Sequence, residues 1–251
     1  MENRMRPQRP MPEKPDILEH GAPIDGEPQS MDRRLFIQLL AFTDCADSSE
    51  VVEAMDKAGV TGAVYEDMHD PNGVAVLAMH EDPNFFVTTW RALLKGNPFD
   101  LMTPVPELTM FGRTYSIGYE PSLQEVLFDR PIRTGTNPDW PWAVWYPLRR
   151  KGDFVKLSAE EQRAVLMEHG TIGMAFGSHD MAHDIRLMCH GMDRNDNDFV
   201  VGLMGKDLHP LSSVVATMRK TKQTSELLQC LGPFFVGKAI WQSKEDTAQI
   251  K

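Results

Sequence analysis

The sequence contains no C-x-x-C pair, and its three cysteines, Cys45, Cys189 and Cys230, are odd in number and widely spaced. That excludes a disulfide framework and a cysteine-held structural zinc, and the thiols read as small buried hydrophobes. The H-E-x-x-H spacing of zinc hydrolases is also missing. No apolar run approaches the roughly 18 residues that cross a bilayer, and the opening "MENRMRPQRPMPEKPD" lacks the apolar stretch of a secretory signal. The expectation is a cytoplasmic protein with no membrane span. Positive charge is scarce: 26 Lys and Arg stand against 36 Asp and Glu, a net charge of -10. Nucleic acid is therefore not an expected partner, because its binding rests on clustered cations that neutralise phosphates.

What is present is enough apolar content for a real core, 41% of 251 residues. Residues 1–31 depart from this: they are dense in Pro, Glu and Arg and poor in aromatics, which predicts a flexible N-terminal arm. "LFIQLLAFT" then reads as a buried strand, "SSEVVEAMDKAG" as a capped helix, "TGAVYEDM" and "GVAVLAMHE" as strands, "DPNFFVTTWRALLKGNPF" as a helix and "ELTMFGRTYSIGYE" as a strand. Residues 121–139, rich in Pro, Arg and Asp, read as a linker. The same order recurs in "WPWAVWYPL", "SAEEQRAVLMEHGTIG", "HDIRLMCHG", "DFVVGLMG", "HPLSSVVATMRKTKQTSELLQCLG" and "PFFVGKAIW". Two β-α-β-β-α-β units predict an α+β fold of two tandem ferredoxin-like repeats, over residues 32–120 and 140–242. Their sheets join into one dimeric α+β barrel within the chain, and residues 243–251 form a tail.

The helix that begins near Ser158 carries a capping box in "SAEE", and His169 stands at the end of its pattern, in the last turn before Gly170. A histidine there can simply complement the helix dipole. It can also ligate a metal in its neutral form, and a single imidazole needs a prosthetic group that brings the remaining ligands, which is what haem does.

The run "WYPLRRKGDFVKLSAEEQRAVLMEHGTIG", followed by "DFVVGLMGKDL", "VVATMR" and "LGPFFVG", resembles the chlorite dismutase family, which includes the coproheme decarboxylases. The resemblance is continuous over about residues 143–240 and rests on topology alone over residues 34–120. It implies a barrel usually assembled as a homopentamer, with haem b or iron coproporphyrin III in the C-terminal half and a small oxidant, peroxide or chlorite, as partner. His169 stands where the family's proximal iron ligand stands. Tyr146 matches the tyrosine that lies beside a porphyrin propionate in the decarboxylating members; its plainer role is a packed strand aromatic. Arg149, Arg150 and Lys151 match a basic run suited to porphyrin carboxylates, or else form a solvated strand end.

Two positions depart from the family pattern. The distal residue, Arg in chlorite dismutases and often Gln in the decarboxylases, falls near Ala182 or Asp184, with His183 and Arg186 as neighbours able to fill the role. Strand alternation sets Asp184 and Arg186 on one face and His183 on the other. The family's glutamate partner of the ligand histidine is replaced by Gln223, which leaves the imidazole less anionic. The resemblance thus implies decarboxylation of coproheme to haem b as the first reading and chlorite dismutation as the second. A non-catalytic haem-binding, sensing or assembly subunit is the third.

Overall fold

The computed structural model describes residues 13–244. Eight antiparallel strands close into a ring: β1 (Phe36–Thr43), β2 (Gly62–Asp67), β3 (Val74–His80), β4 (Met110–Arg113), β5 (Trp142–Arg150), β6 (His183–Met188), β7 (Phe199–Gly205) and β8 (Phe235–Gln242). The lateral order is β4-β1-β3-β2 in the first half and β8-β5-β7-β6 in the second, so each half places its fourth, first, third and second strands side by side. One seam is broad, with β8 paired to β2 from Gly237↔Asp67 to Gln242↔Ala63. The other is a single pair, Arg113↔Met188. Gly112 permits that narrow seam, because a Cβ there would meet Cys189 Sγ at 2.6 Å and Leu187 Cβ at 2.8 Å.

Alternation along each strand sends one set of side chains into the ring. Ile37, Leu39, Tyr65, Leu77, Trp145 and Ile185 are among those that fill it. Trp145 lies across from Gly202, where a Cβ would stand 2.6 Å from the indole, so the bulk of one strand occupies space its neighbour leaves free.

Residues 121–139 are not a linker. A π-helical turn (Glu125–Asp129) continues into helix α2 (Arg130–Thr136), and Leu123, Leu127, Phe128 and Ile132 belong to the core inside the ring. Their four- and five-residue spacing is a helical stripe, hidden in the sequence by the Asp, Arg and Pro beside it. The arm also needs correcting over part of its length. Glu19–Ile24 and Glu27–Met31 form a hairpin, and buried Glu19 accepts hydrogen bonds from Arg113 Nη1 and from Ser116 N at 2.8 Å. The rest of the expected arm, residues 1–12, lies outside the described residues, as does the tail from 245 on.

Outside the ring, the first half is covered by helix α1 (Ser48–Lys57), capped by Asp47 and burying Val51 and Met55, together with Trp90 and Phe99. The long helix expected over residues 82–99 is split into Asn84–Val87 and Thr89–Leu93. The second half is covered by α3 (Ala159–Ser178) and α4 (Leu208–Met218). The expected helix of residues 209–232 ends at Met218; Lys222–Glu226 is a separate turn of helix, and Leu228–Leu231 is a short strand on β5. Among the described residues no helix is long and apolar enough to cross a membrane.

The buried plug generates a stability prediction. Phe128 is 0% exposed, so Phe128→Ala should cost about 3–5 kcal/mol in urea unfolding of the full chain. A loss below about 0.5 kcal/mol, typical of an exposed position, would mean that the segment does not pack as described.

Candidate functional site

Helix α3 opens with the capping box: Ser158 Oγ accepts from Glu161 N at 3.3 Å while Glu161 Oε2 accepts from Ser158 N at 2.9 Å. The helix runs on past Gly170 and Gly173 to Ser178, where Asp180 turns the chain at φ 57° and the amide of Met181 reaches back to Phe176 O at 3.0 Å. His169 is therefore in the middle of a helix and not in its last turn. Helix-dipole complementarity, which acts only within the terminal turn, does not account for it there.

His169 is half-buried on the side of α3 that faces the second half-sheet. Its Nδ1 lies 3.4 Å from Thr221 Oγ1, and that hydroxyl donates to Met218 O at 2.8 Å, which leaves a lone pair turned to the ring nitrogen. This arrangement favours a proton on Nδ1 and a free electron pair on Nε2. Burial pushes the imidazole pKa below its ordinary 6.5; Arg150 and Arg186 add to the effect and Glu168 and Asp184 oppose it. The neutral ring that results is the form able to ligate a metal. Thr221 is held in place as the cap of Lys222–Glu226, and next to it Lys222 N donates to Glu168 Oε2 at 3.0 Å. Gln223, expected to support the histidine, is buried with its Oε1 lacking a hydrogen-bond partner, and the side chain that meets Nδ1 is that of Thr221.

Across from α3, the outward side chains of β5, β7 and β6 form rows. Tyr146 stands opposite Val201 and Val201 opposite Arg186; Leu148, Phe199 and Met188 form the next row; Val144, Leu203 and Asp184 the one before. Tyr146 is buried and stacks on Phe234 with ring centroids 4.8 Å apart. Burial pushes its phenol above the ordinary range, and the Asp184 carboxylate adds to this. Arg186 Nε pairs with Asp184 Oδ2 at 2.9 Å on this same face. Tyr115, after β4, packs on Phe199 at 5.8 Å and closes one flank.

The basic run does not act as a unit. Arg150 lies between the rings of Phe154 and Phe199, at 4.4 and 4.6 Å, with its buried Nε lacking a partner. Arg149 points the other way, donating to Asn195 O at 2.9 Å and pairing with Asp196 at 3.0 Å. Lys151 donates to Glu226 O at 2.7 Å. Alternation along β5 turns Arg149 and Arg150 to opposite faces, Lys151 lies just past the strand's end, and of the three only Arg150 acts on the charge of His169. His183 is also drawn away: it stacks on Trp140 at 3.5 Å and bonds Asp180 at 2.9 Å. Ala182 is a buried packing residue. The assembled set is thus His169, Tyr146, Arg150, Asp184 and Arg186. Sequence reasoning missed Thr221 and Tyr115, whose only signal was their place just before a short helix and just after a strand.

Among the described residues no group of three or more His, Cys, Asp and Glu side chains could hold a bare metal ion. The set fits a metal that arrives with most of its ligands: His169 would supply one neutral imidazole to it, and the half-buried Arg150, whose Nε has no partner, would grip a carboxylate on the carrier.

No curated protein matches the chain. Among solved structures, a heme-binding protein from Thermus thermophilus is similar with a TM-score of 0.64 at 17% identity, covering 82% of this chain and 91% of that one. A mutant chlorite dismutase from Candidatus Nitrospira defluvii gives a TM-score of 0.64 at 14% identity, with 83% and 92% covered. Such identities speak for the fold. The family model described as chlorite dismutase matches residues 72–240, and the chain belongs to that family.

Proposed function

We propose that this protein binds haem b or iron coproporphyrin III between α3 and the outer face of β5, β7 and β6. His169 is the only protein ligand to iron, and the reaction is peroxide-dependent decarboxylation of coproheme to haem b. The halves are read as ferredoxin-like repeats, and the family resemblance favours a homo-oligomer, a pentamer. One observation carries the proposal. The outer face of the first half is filled by Val51, Met55, Trp90 and Phe99, whereas the matching face of the second half, beside an apolar cluster that includes Val144, Leu203 and Leu211, also carries Arg150, Arg186 and Asp184, whose charges are felt at His169.

The bound iron supplies the redox chemistry; the chain supplies position and charge. Thr221 fixes the tautomer of His169. Arg150, half-buried between two rings and in no ion pair among the described residues, is placed to hold a porphyrin carboxylate. In the overall change one propionate becomes a vinyl group and carbon dioxide while one peroxide is reduced to two waters. Tyr146, buried and stacked on Phe234, would be the side chain suited to carry the radical: its phenol would give up a hydrogen atom to the peroxide-derived oxidising equivalent and regain one from the propionate. Chlorite dismutation is the second reading, favoured by the presence of Arg186 on the face opposite His169.

His169→Ala should abolish the Soret shift seen on adding haem while leaving the circular dichroism unchanged; a variant with unaltered affinity and spectrum would remove His169 from the site. Arg150→Glu should weaken binding of a four-carboxylate coproporphyrin by about 10- to 100-fold, the scale of a lost charge-assisted hydrogen bond, and more than that of two-carboxylate haem. Arg149→Glu and Lys151→Glu should change neither by more than about two-fold, because Arg149 is engaged by Asn195 and Asp196 on the other side of the strand and Lys151 is an exposed charge. Equal losses from all three variants would reduce the run to a solvated strand end. Tyr146→Phe keeps the ring stacked on Phe234, so coproheme should still bind while carboxyl loss, followed by mass spectrometry, falls steeply; chlorite turnover has no such dependence. Wild-type protein that binds coproheme and yields no decarboxylated product with peroxide would refute the first reading.

A further inference from the structure

The ion pair of Asp184 and Arg186 is a part of the site to which the decarboxylation reading assigns no task. The two residues are separated by one position on β6, so both project from the same outer face, and Arg186 Nε meets Asp184 Oδ2 at 2.9 Å with side chains 42% and 41% exposed. The pair lies across the sheet from Tyr146 and faces the helix that carries His169. Each member's charge is felt at the imidazole, with opposite sign. A flat group seated on His169 would therefore turn its other face to a guanidinium already matched by a carboxylate.

That matching has a consequence for small ligands. An arginine alone in a half-enclosed cavity attracts monoanions, because its charge is screened less there than in water. A carboxylate in contact with it cancels most of that attraction at a distance and repels any second anion that approaches. Uncharged ligands meet neither effect. Arg150, the other cation near His169, is held between two rings, and on the haem reading it is engaged by the porphyrin carboxylate.

We propose that Asp184 is a specificity-determining residue, which by pairing with Arg186 reserves the ligand position opposite His169 for small uncharged oxidants of the peroxide class and weakens the binding of small monoanions such as chlorite. This rests on the haem-binding reading above. It also gives a reason why a chain that places an arginine on this face can still favour peroxide.

The test uses full-length protein loaded with ferric haem at neutral pH and low salt, titrated with azide as the monoanion and with nitric oxide as the uncharged ligand, each followed by the Soret band. Asp184→Asn keeps the shape and removes the charge, and Asp184→Ser serves as a second variant should the first fold poorly. Azide should bind about tenfold more tightly in either variant, with nitric oxide within about two-fold. The gain for azide should vanish when Arg186→Gln is added, because the freed guanidinium is its source. Azide affinity unchanged by loss of Asp184, or azide and nitric oxide altered equally, would overturn the role of Asp184 while leaving haem binding intact. A wild-type protein that shows no Soret shift on adding haem would overturn the haem reading and this inference with it.

Discussion

A sheet closed on itself has no free edges and only two faces, and here the inner one is occupied. Tyr65, Trp145 and Phe235 reach inward from the strands, and Leu127 and Phe128 enter from the segment between the halves. Any ligand must therefore be held on the outside, under a helix, and the choice of half is made by what the helix and the outward side chains carry. In the first half that layer is a second apolar core, which offers a polar ligand nothing. In the second half α3 buries only Val165 fully, and the sheet beneath it combines an apolar cluster around Val144, Leu203 and Leu211 with a tyrosine, an ion pair and a half-buried arginine. The chemistry follows from this asymmetry laid over a repeated topology.

The electrostatics of the site are close to balanced. His169 senses two arginines and two carboxylates, yet burial is the largest influence on its proton and keeps the imidazole neutral. Arg150 tolerates its own burial by lying between two ring faces, an environment that suits a weakly hydrated, planar cation better than it would suit lysine. A hydroxyl, not a carboxylate, meets Nδ1 of His169. With the proton on Nδ1 it accepts a hydrogen bond without adding charge, so that tautomer keeps the electron-donating power of an ordinary imidazole.

Much of this was legible in the residues, and the failures have identifiable causes. The eight ring strands were readable because apolar runs such as "GVAVLAMHE" and "DFVVGLMG" are short, β-branched and bounded by turn residues. The capping box at Ser158 was equally plain. The plug was not, since Asp129, Arg130 and Pro131 sit beside its apolar stripe and outweigh it in any count of composition. The end of α3 was placed too early because Gly170 looks like a stop, whereas Ile172 and Phe176 continue to pack and hold the helix together. The opposite facing of Arg149 and Arg150 could have been foreseen from strand alternation alone. The partner of His169 could not, because which of Thr221 and Gln223 reaches it depends on how a short helix caps itself after α4.

The plug has a further consequence, for how the molecule comes apart. Its glycine, Gly135, is pressed against Met79 of β3 and approaches Leu77 and Ile185, so one short helix touches strands of both halves at once. Two copies of a topology are ordinarily taken as two modules that could be separated, swapped or expressed alone. Here the natural cutting place is the piece that fills the shared interior, and severing it would leave each half with an open sheet edge and an empty inner face. The repeated strand order is thus a feature of wiring, while one buried segment ties both half-sheets to a shared interior.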